Sequence, residues 1–144
     1  MSREAAFSAL FAAVSAAYPW GLASRRMKLW GEVPSSLRPA FFQLESGPEA
    51  YQWPSPAAPK RTFEAKLFLY FASQDPTTPG SISINAALDA IDAALLPSGA
   101  DAALGRQTLG GAVHDCKITA VPVRDPGDLD GDGLAVVSVR LVGP

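Results

Sequence analysis

Residues 62–73 constrain the fold most, because their side chains alternate between two chemical characters. One set is apolar: Phe63, Ala65, Leu67, Leu69 and Phe71. The other set begins charged and ends aromatic: Glu64, Lys66, Phe68 and Tyr70. Period-two alternation predicts a β-strand, and the change within the second set predicts a strand whose far end is covered on both faces. We therefore expect this strand at the centre of a sheet, with residues 81–96 as its cover.

The rest of the chain predicts an α+β fold with the order α-β-β-β-α-β-β in one domain, residues 1–144. The sheet is expected to be five-stranded and mainly antiparallel, with two helices packed on it. The predicted helices are residues 3–17 and 83–96. The predicted strands are residues 25–33, 39–45, 62–73, 112–123 and 134–142.

Both predicted helices carry one apolar stripe. The stripe of the first is Phe7, Leu10, Phe11, Val14 and Tyr18, and that of the second is Ile84, Leu88, Ile91 and Leu95. Ser2 is the expected cap of the first helix, and Ser81 or Ser83 that of the second. In the strand at 39–45, Ala40, Phe42 and Leu44 are the candidate core positions, and Phe41 is expected on the opposite face.

Composition limits the classes of function. The chain has 144 residues, 48% of them hydrophobic, and a net charge of −2, so neither disorder nor general attraction to nucleic acid or membrane is expected. Its one cysteine, Cys116, excludes an internal disulfide. The apolar stretch at 5–17 could pass for a signal-peptide core, but its nearly neutral flank and helical periodicity favour a packed helix. No apolar run approaches the ~18 residues of a membrane span.

Residues 46–61 form a proline-rich arm. Four prolines in this stretch argue against regular structure, and a loop of such length is often functional. The arm carries Tyr51 and Trp53. These aromatic side chains either tuck onto their own domain or anchor a contact with a neighbouring chain.

Residues 124–133 form an acidic tip between the last two predicted strands. Asp128, Asp130, Asp132 and Gly133 match the first half of a calcium-binding loop, but Val139 stands where a bidentate glutamate is needed. We interpret the tip as a polar turn, and no resident cofactor or metal is expected. The alternative is Mg²⁺ or Ca²⁺ held by the three aspartates, between subunits.

The residues that most often carry catalysis are sparse. The lone His114 lies two residues from Cys116, without a third orienting group in view. We interpret the pair as an edge histidine and a buried thiol, and expect no enzymatic activity.

Several short motifs, taken in order, resemble the tail terminator proteins of long-tailed bacteriophages and prophages (the minor tail protein U-like group). The resemblance covers residues 5–143. It rests on the segments at 26–30 (RMKLW), 38–42 (RPAFF) leading into Glu45, 67–70 (LFLY), 84–91 (INAALDAI), 108–113 (TLGGAV) and the closing strand at 135–142.

The resemblance implies a structural subunit of the virion tail, assembled in the host cytoplasm. Tail terminators form a hexameric ring that caps the tail tube, stops its growth and offers a surface to the head connector. The implied partners are a second copy of the chain, the tail tube protein and the head–tail connector, with no membrane and no specific nucleic acid. The candidate interface residues are Tyr51, Trp53, Arg38, Arg124, Asp128, Asp130 and Asp132.

The charge distribution suits such head-to-tail assembly. Residues 1–80 carry eight basic and six acidic side chains, whereas residues 81–144 carry four basic and eight acidic ones. Two alternatives stay open: another head–tail joining, tail-completion or tube ring protein of the same particle, and a soluble ligand-binding or enzymatic domain.

Overall fold

The structure is a computed structural model that describes residues 2–73, 75–97 and 99–143. Within these residues it has two α-helices and a mixed sheet of six strands. The helices are α1 (Arg3–Ala17) and α2 (Ser81–Ala94). The strands are β1 (Leu22–Ser24), β2 (Ala40–Leu44), β3 (Ala50–Ser55), β4 (Ala58–Ala72), β5 (Asp115–Asp125) and β6 (Asp132–Val142).

The predicted α+β class is confirmed, and the predicted sheet is corrected. The strand order is β1-β2-β4-β6-β5, with β3 also paired to β4. The sheet is mixed and six-stranded among the described residues, rather than five-stranded and mainly antiparallel, because β1 runs parallel to β2 and the arm adds β3. β4 does lie at the centre, between β6 on one edge and both β2 and β3 on the other.

One face of the sheet carries the main core, as the stripe patterns predicted. The apolar set of β4, from Phe63 to Phe71, is buried beneath both helices. Leu10 and Val14 of α1 and Ile91 of α2 are buried in the same cluster. Ser2 caps α1 as expected, since its Oγ accepts a hydrogen bond from the Ala5 amide at 3.1 Å.

The opposite face of β4 is covered at its far end, but not by α2. Tyr70 packs there in a second cluster with Phe42 and Val33, and its hydroxyl donates to the Lys28 carbonyl at 2.8 Å. The covering segment is residues 25–34, for which a strand was predicted wrongly. It crosses the face of the sheet and contains a 3-10 helix at Trp30–Glu32. Its side chains pack onto the second cluster, and the segment pairs with none of the described strands.

β2 is buried on both faces, which corrects the assignment of its core side. Ala40 and Phe42 belong to the second cluster, whereas Phe41 enters the main core and stacks on Phe11 at 5.5 Å. Gln43 is fully buried on the helix side and donates its amide to the Phe7 carbonyl at 2.9 Å. Leu44 is only partly buried.

The proline-rich arm is a two-stranded hairpin rather than irregular chain. β3 pairs antiparallel with the first residues of β4, which begins at Ala58, earlier than predicted. Pro54 lies on exposed β3 and Pro59 near the start of β4. A strand at the border of a sheet tolerates proline, since its backbone needs no donor on the outer side.

The segments around α2 differ from their predictions in detail. The helix begins at Ser81 and its cap is Gly80, not Ser81 or Ser83. The connection before β5 contains two 3-10 helices at Gly99–Leu104 and Leu109–Gly111. Gln74, before α2, and Ser98, after it, lie outside the described residues. None of the described helices is both long and apolar enough to cross a membrane.

Candidate protein interface

The arm presents two aromatic side chains to solvent. All six residues of β3 are exposed, and Tyr51 and Trp53 keep 49% and 61% of their surface accessible. Tyr51 lies opposite Arg61 of β4. Arg61 is two residues from Phe63, so both side chains lie on the same face of the strand. Tyr51 therefore lies on the helix side of the sheet. Large exposed aromatic side chains are typical of contact surfaces.

The base of the arm is fixed to the start of α1. Arg3 donates to both carboxylate oxygens of Glu49, at 2.6 and 2.8 Å, and to the Tyr51 hydroxyl at 2.8 Å. The hydrogen bond from Arg3 lowers the pKa of Glu49. These contacts hold the hairpin in a defined direction at Tyr51, and Trp53 lies two residues beyond this anchor.

The acidic tip is a turn between β5 and β6, and each of its carboxylates has its own partner. Asp128 accepts from the Gly80 amide at 2.8 Å, Asp130 accepts from the Asp132 amide at 3.0 Å, and Asp125 accepts from the Gly127 amide at 2.9 Å. A carboxylate beside the first residues of α2 is also favourable to the helix dipole. In the part of the chain that is described, no three His, Cys, Asp or Glu side chains are grouped to hold a metal ion.

Asp132 faces away from the other tip carboxylates, toward Arg38. The two side chains form an ion pair with 2.5 Å between Nη1 and Oδ1. Arg38 also donates to the carbonyls of Trp30 and Val33 and lies over the Trp30 ring, 5.1 Å from its centroid. Its side chain is only 6% exposed. Arg38, a candidate interface residue, is thus used inside the chain to hold the covering segment 25–34.

The remaining tip residues border open space. Arg124 is exposed at the end of β5 and borders a 240 Å³ pocket with Ser81, Ile84 and Pro126. Asp128 and Asp130 border a larger groove of about 600 Å³ on the side of Asp75 and Thr77. Hydrogen bonds from Thr77 lower the pKa of Asp75.

A second surface lies at the opposite edge of the sheet, where α2 ends beside β5. It is a mainly apolar groove of about 330 Å³, lined by Asp92, Leu95, Leu96, Pro97, Cys116, Lys117 and Ile118. We call it the α2–β5 groove. Leu96 at its rim is 60% exposed, while Cys116 at its floor is buried, and this burial raises the pKa of the thiol to about 12. A buried thiol of that pKa is not a nucleophile at neutral pH.

Sequence reasoning missed this groove. The one signal for it was Leu96, an apolar residue that directly follows the last residue of the α2 stripe, Leu95, and so cannot share its buried face.

The arm and the groove occupy the same end of the sheet but opposite edges. Cys116 lies opposite Leu141 of β6, and Leu141 lies opposite Phe63 of β4. The arm begins two residues before Phe63 on β4, where Tyr51 pairs with Arg61. The chain therefore carries two unlike surfaces near one end of the sheet, separated by β4 and β6.

Comparison with models of known protein families finds no match for this sequence, and comparison with curated proteins finds none.

Proposed function

We propose that this protein is a structural subunit that assembles head to tail into a closed ring, as the tail terminators that its sequence resembles do. The observation that carries the proposal is the arm, an ordered hairpin anchored at its base whose aromatic side chains remain in solvent. An isolated hairpin is only marginally stable in water. Because this hairpin is anchored at its base, its exposed aromatic side chains are held in position for a contact with another chain.

The second support is the presence of two unlike surfaces. Closed rings with more than two subunits need heterologous contacts, in which one patch of a subunit meets a different patch of the next. The arm and the α2–β5 groove are two such different patches, and they lie on opposite edges of the sheet. The charge of the first 80 residues is +2 and that of the remainder is −4, which favours contact between unlike halves.

In this proposal the ring is a hexamer that caps the tail tube of a phage or prophage particle and presents a docking surface to the head–tail connector. Its partners are itself, the tube protein and the connector, its place is the virion tail, and it turns over no substrate. Another ring component of the same particle would share the self-assembly and differ in the partner that it binds.

The experiment compares assembly by wild type and by Tyr51→Ala/Trp53→Ala, measured as mass in solution over a range of concentrations. We expect the wild type to form oligomers and the arm variant to be shifted to monomer, because truncation of an aromatic hot-spot residue at an interface costs about 2 kcal/mol, a factor of roughly 30 in affinity. The control is Leu29→Ala, since Leu29 is 73% exposed but belongs to the covering segment on the opposite face. Equal assembly by all three proteins would show that the arm has no role in self-association.

A further inference from the structure

We propose that Trp53 of one subunit inserts into the α2–β5 groove of the next copy of this chain. This inference rests on the proposed ring and specifies its contact. The occupant is a second copy because both halves of the contact are exposed on this chain and lie near the same end of the sheet on opposite edges.

The groove is large enough for an aromatic side chain and suits its chemistry. Its volume of about 330 Å³ is at the lower end of the range for sites that hold small organic molecules. Leu95, Leu96 and Ile118 give it apolar walls. An indole ring brings a large apolar body with one N–H donor, and Asp92 at the groove rim offers an acceptor for it.

The same Trp53 cannot fill the groove of its own subunit. β3 and β5 are separated by β4 and β6, so the two edges lie three strand spacings apart, or about 14 Å. The helices α1 and α2 also cover the face between them. The contact is therefore made only between chains, and repeating it carries each subunit to the next in one direction.

Charge favours the same arrangement. The arm continues into Lys60 of β4, whereas the groove rim carries the exposed carboxylate of Asp92. The one cation of the groove, Lys117, is directed to the Gly105 carbonyl, 2.7 Å from its Nζ, and lies 3.5 Å from Asp115. The groove rim thus presents the negative charge of Asp92 to a neighbouring arm that carries the positive charge of Lys60.

The inference is tested by disulfide trapping between two single variants, Trp53→Cys and Leu96→Cys, mixed under mild oxidation. We expect a covalent heterodimer of the two proteins, and higher covalent oligomers when both substitutions are in one chain. Both variants also carry Cys116→Ser, because the native Cys116 lines the groove and would otherwise offer a second thiol to position 53. The matched control mixes Trp53→Cys with Leu29→Cys, whose thiol lies on the covering segment.

Two further variants measure the contact without new thiols. Leu96→Glu places a charge at the groove rim and should weaken self-association about tenfold or more, as loss of one interface anchor does. Leu29→Glu carries the same change on the opposite face and should leave self-association within about twofold. Circular dichroism verifies that both remain folded.

The outcomes separate this inference from the proposed function. Cross-linking of position 53 to 96 above the Leu29 control supports the contact. Wild-type rings without that cross-link would overturn the contact and leave the ring in place. A wild type that stays monomeric and gives no cross-link would overturn both.

Discussion

At the scale of single residues, Arg38 connects three parts of the molecule. It pairs with Asp132 of β6, donates to two carbonyls of the covering segment and stacks on Trp30. Loss of a buried partner leaves polar groups without the hydrogen bonds for which they were desolvated, and this costs more than the net strength of the bonds.

We therefore expect Arg38→Ala to lower the free energy of unfolding by about 2–3 kcal/mol, measured by urea denaturation. Arg38→Lys should recover only part of the loss, because an ammonium group lacks the planar fork that reaches several acceptors. The control is the exposed Arg26→Ala, with an expected change within about 0.5 kcal/mol. Equal stability of the two alanine variants would contradict this role.

At the scale of elements, α1 is held to the sheet by a polar cluster around Arg25. Its guanidinium bridges Glu4 of α1, at 2.5 Å, and Glu45 after β2, at 2.6 Å. Gln43 joins the same cluster through its bond to Glu45 at 3.1 Å. The hydrogen bond from Arg25 lowers the pKa of Glu4 below its ordinary value of 4.5.

This lowered pKa predicts a pH dependence. A carboxyl group whose pKa falls on folding stabilises the protein above its unfolded pKa, and the contribution is lost as the pH falls through the folded value. The difference in unfolding free energy between wild type and Glu4→Gln should be constant near neutral pH and should shrink below about pH 4.5.

Urea denaturation from pH 3 to pH 7 measures this difference. In an Arg25→Gln background, the pH-dependent effect of Glu4→Gln should be smaller, because the largest cause of the lowered pKa is gone and the hydrogen bond from Ser8 remains. A difference that grows toward low pH in the wild-type background would contradict the assignment.

Elements with a strong local pattern could be predicted from the sequence. The bounds of α1 follow from Ser2 and from the proline after Tyr18, and the core face of β4 follows from alternation alone. Residues 25–33 alternate as well, yet Leu29 of that segment is exposed while Val33 is buried. Alternation shows only that a segment has an apolar and a polar face. Tertiary packing decides whether the apolar face is buried in a paired strand or in a loop that covers the sheet.

The candidate interface was predictable only in part, for a similar reason. Tyr51 and Trp53 were recognisable because large aromatic side chains stood among prolines. Arg38 and Asp132 looked like free surface charges, and their mutual contact joins residues 94 positions apart. The α2–β5 groove is made by the end of a helix and a strand about 20 residues later, a juxtaposition that neither local sequence encodes.

At the scale of the whole molecule, the two proposed contact surfaces, the arm and the α2–β5 groove, lie on opposite edges of a single sheet. The sheet is a rigid spacer between the arm and the groove, since β4 forms a continuous ladder with β6 along its length. In the proposed assembly, fixed surfaces would fix the angle between successive subunits, and a repeated contact gives a ring when that rotation closes and a helical filament when it does not.

The most direct test of the central claim is the mass of the purified protein by light scattering at high concentration, with and without magnesium, followed by negative-stain imaging of the largest species. For a hexameric ring we expect a particle of about 90 kDa, six times the 15.1 kDa chain, with a central hole. A strict 15.1 kDa monomer or a two-fold dimer under every condition would contradict it.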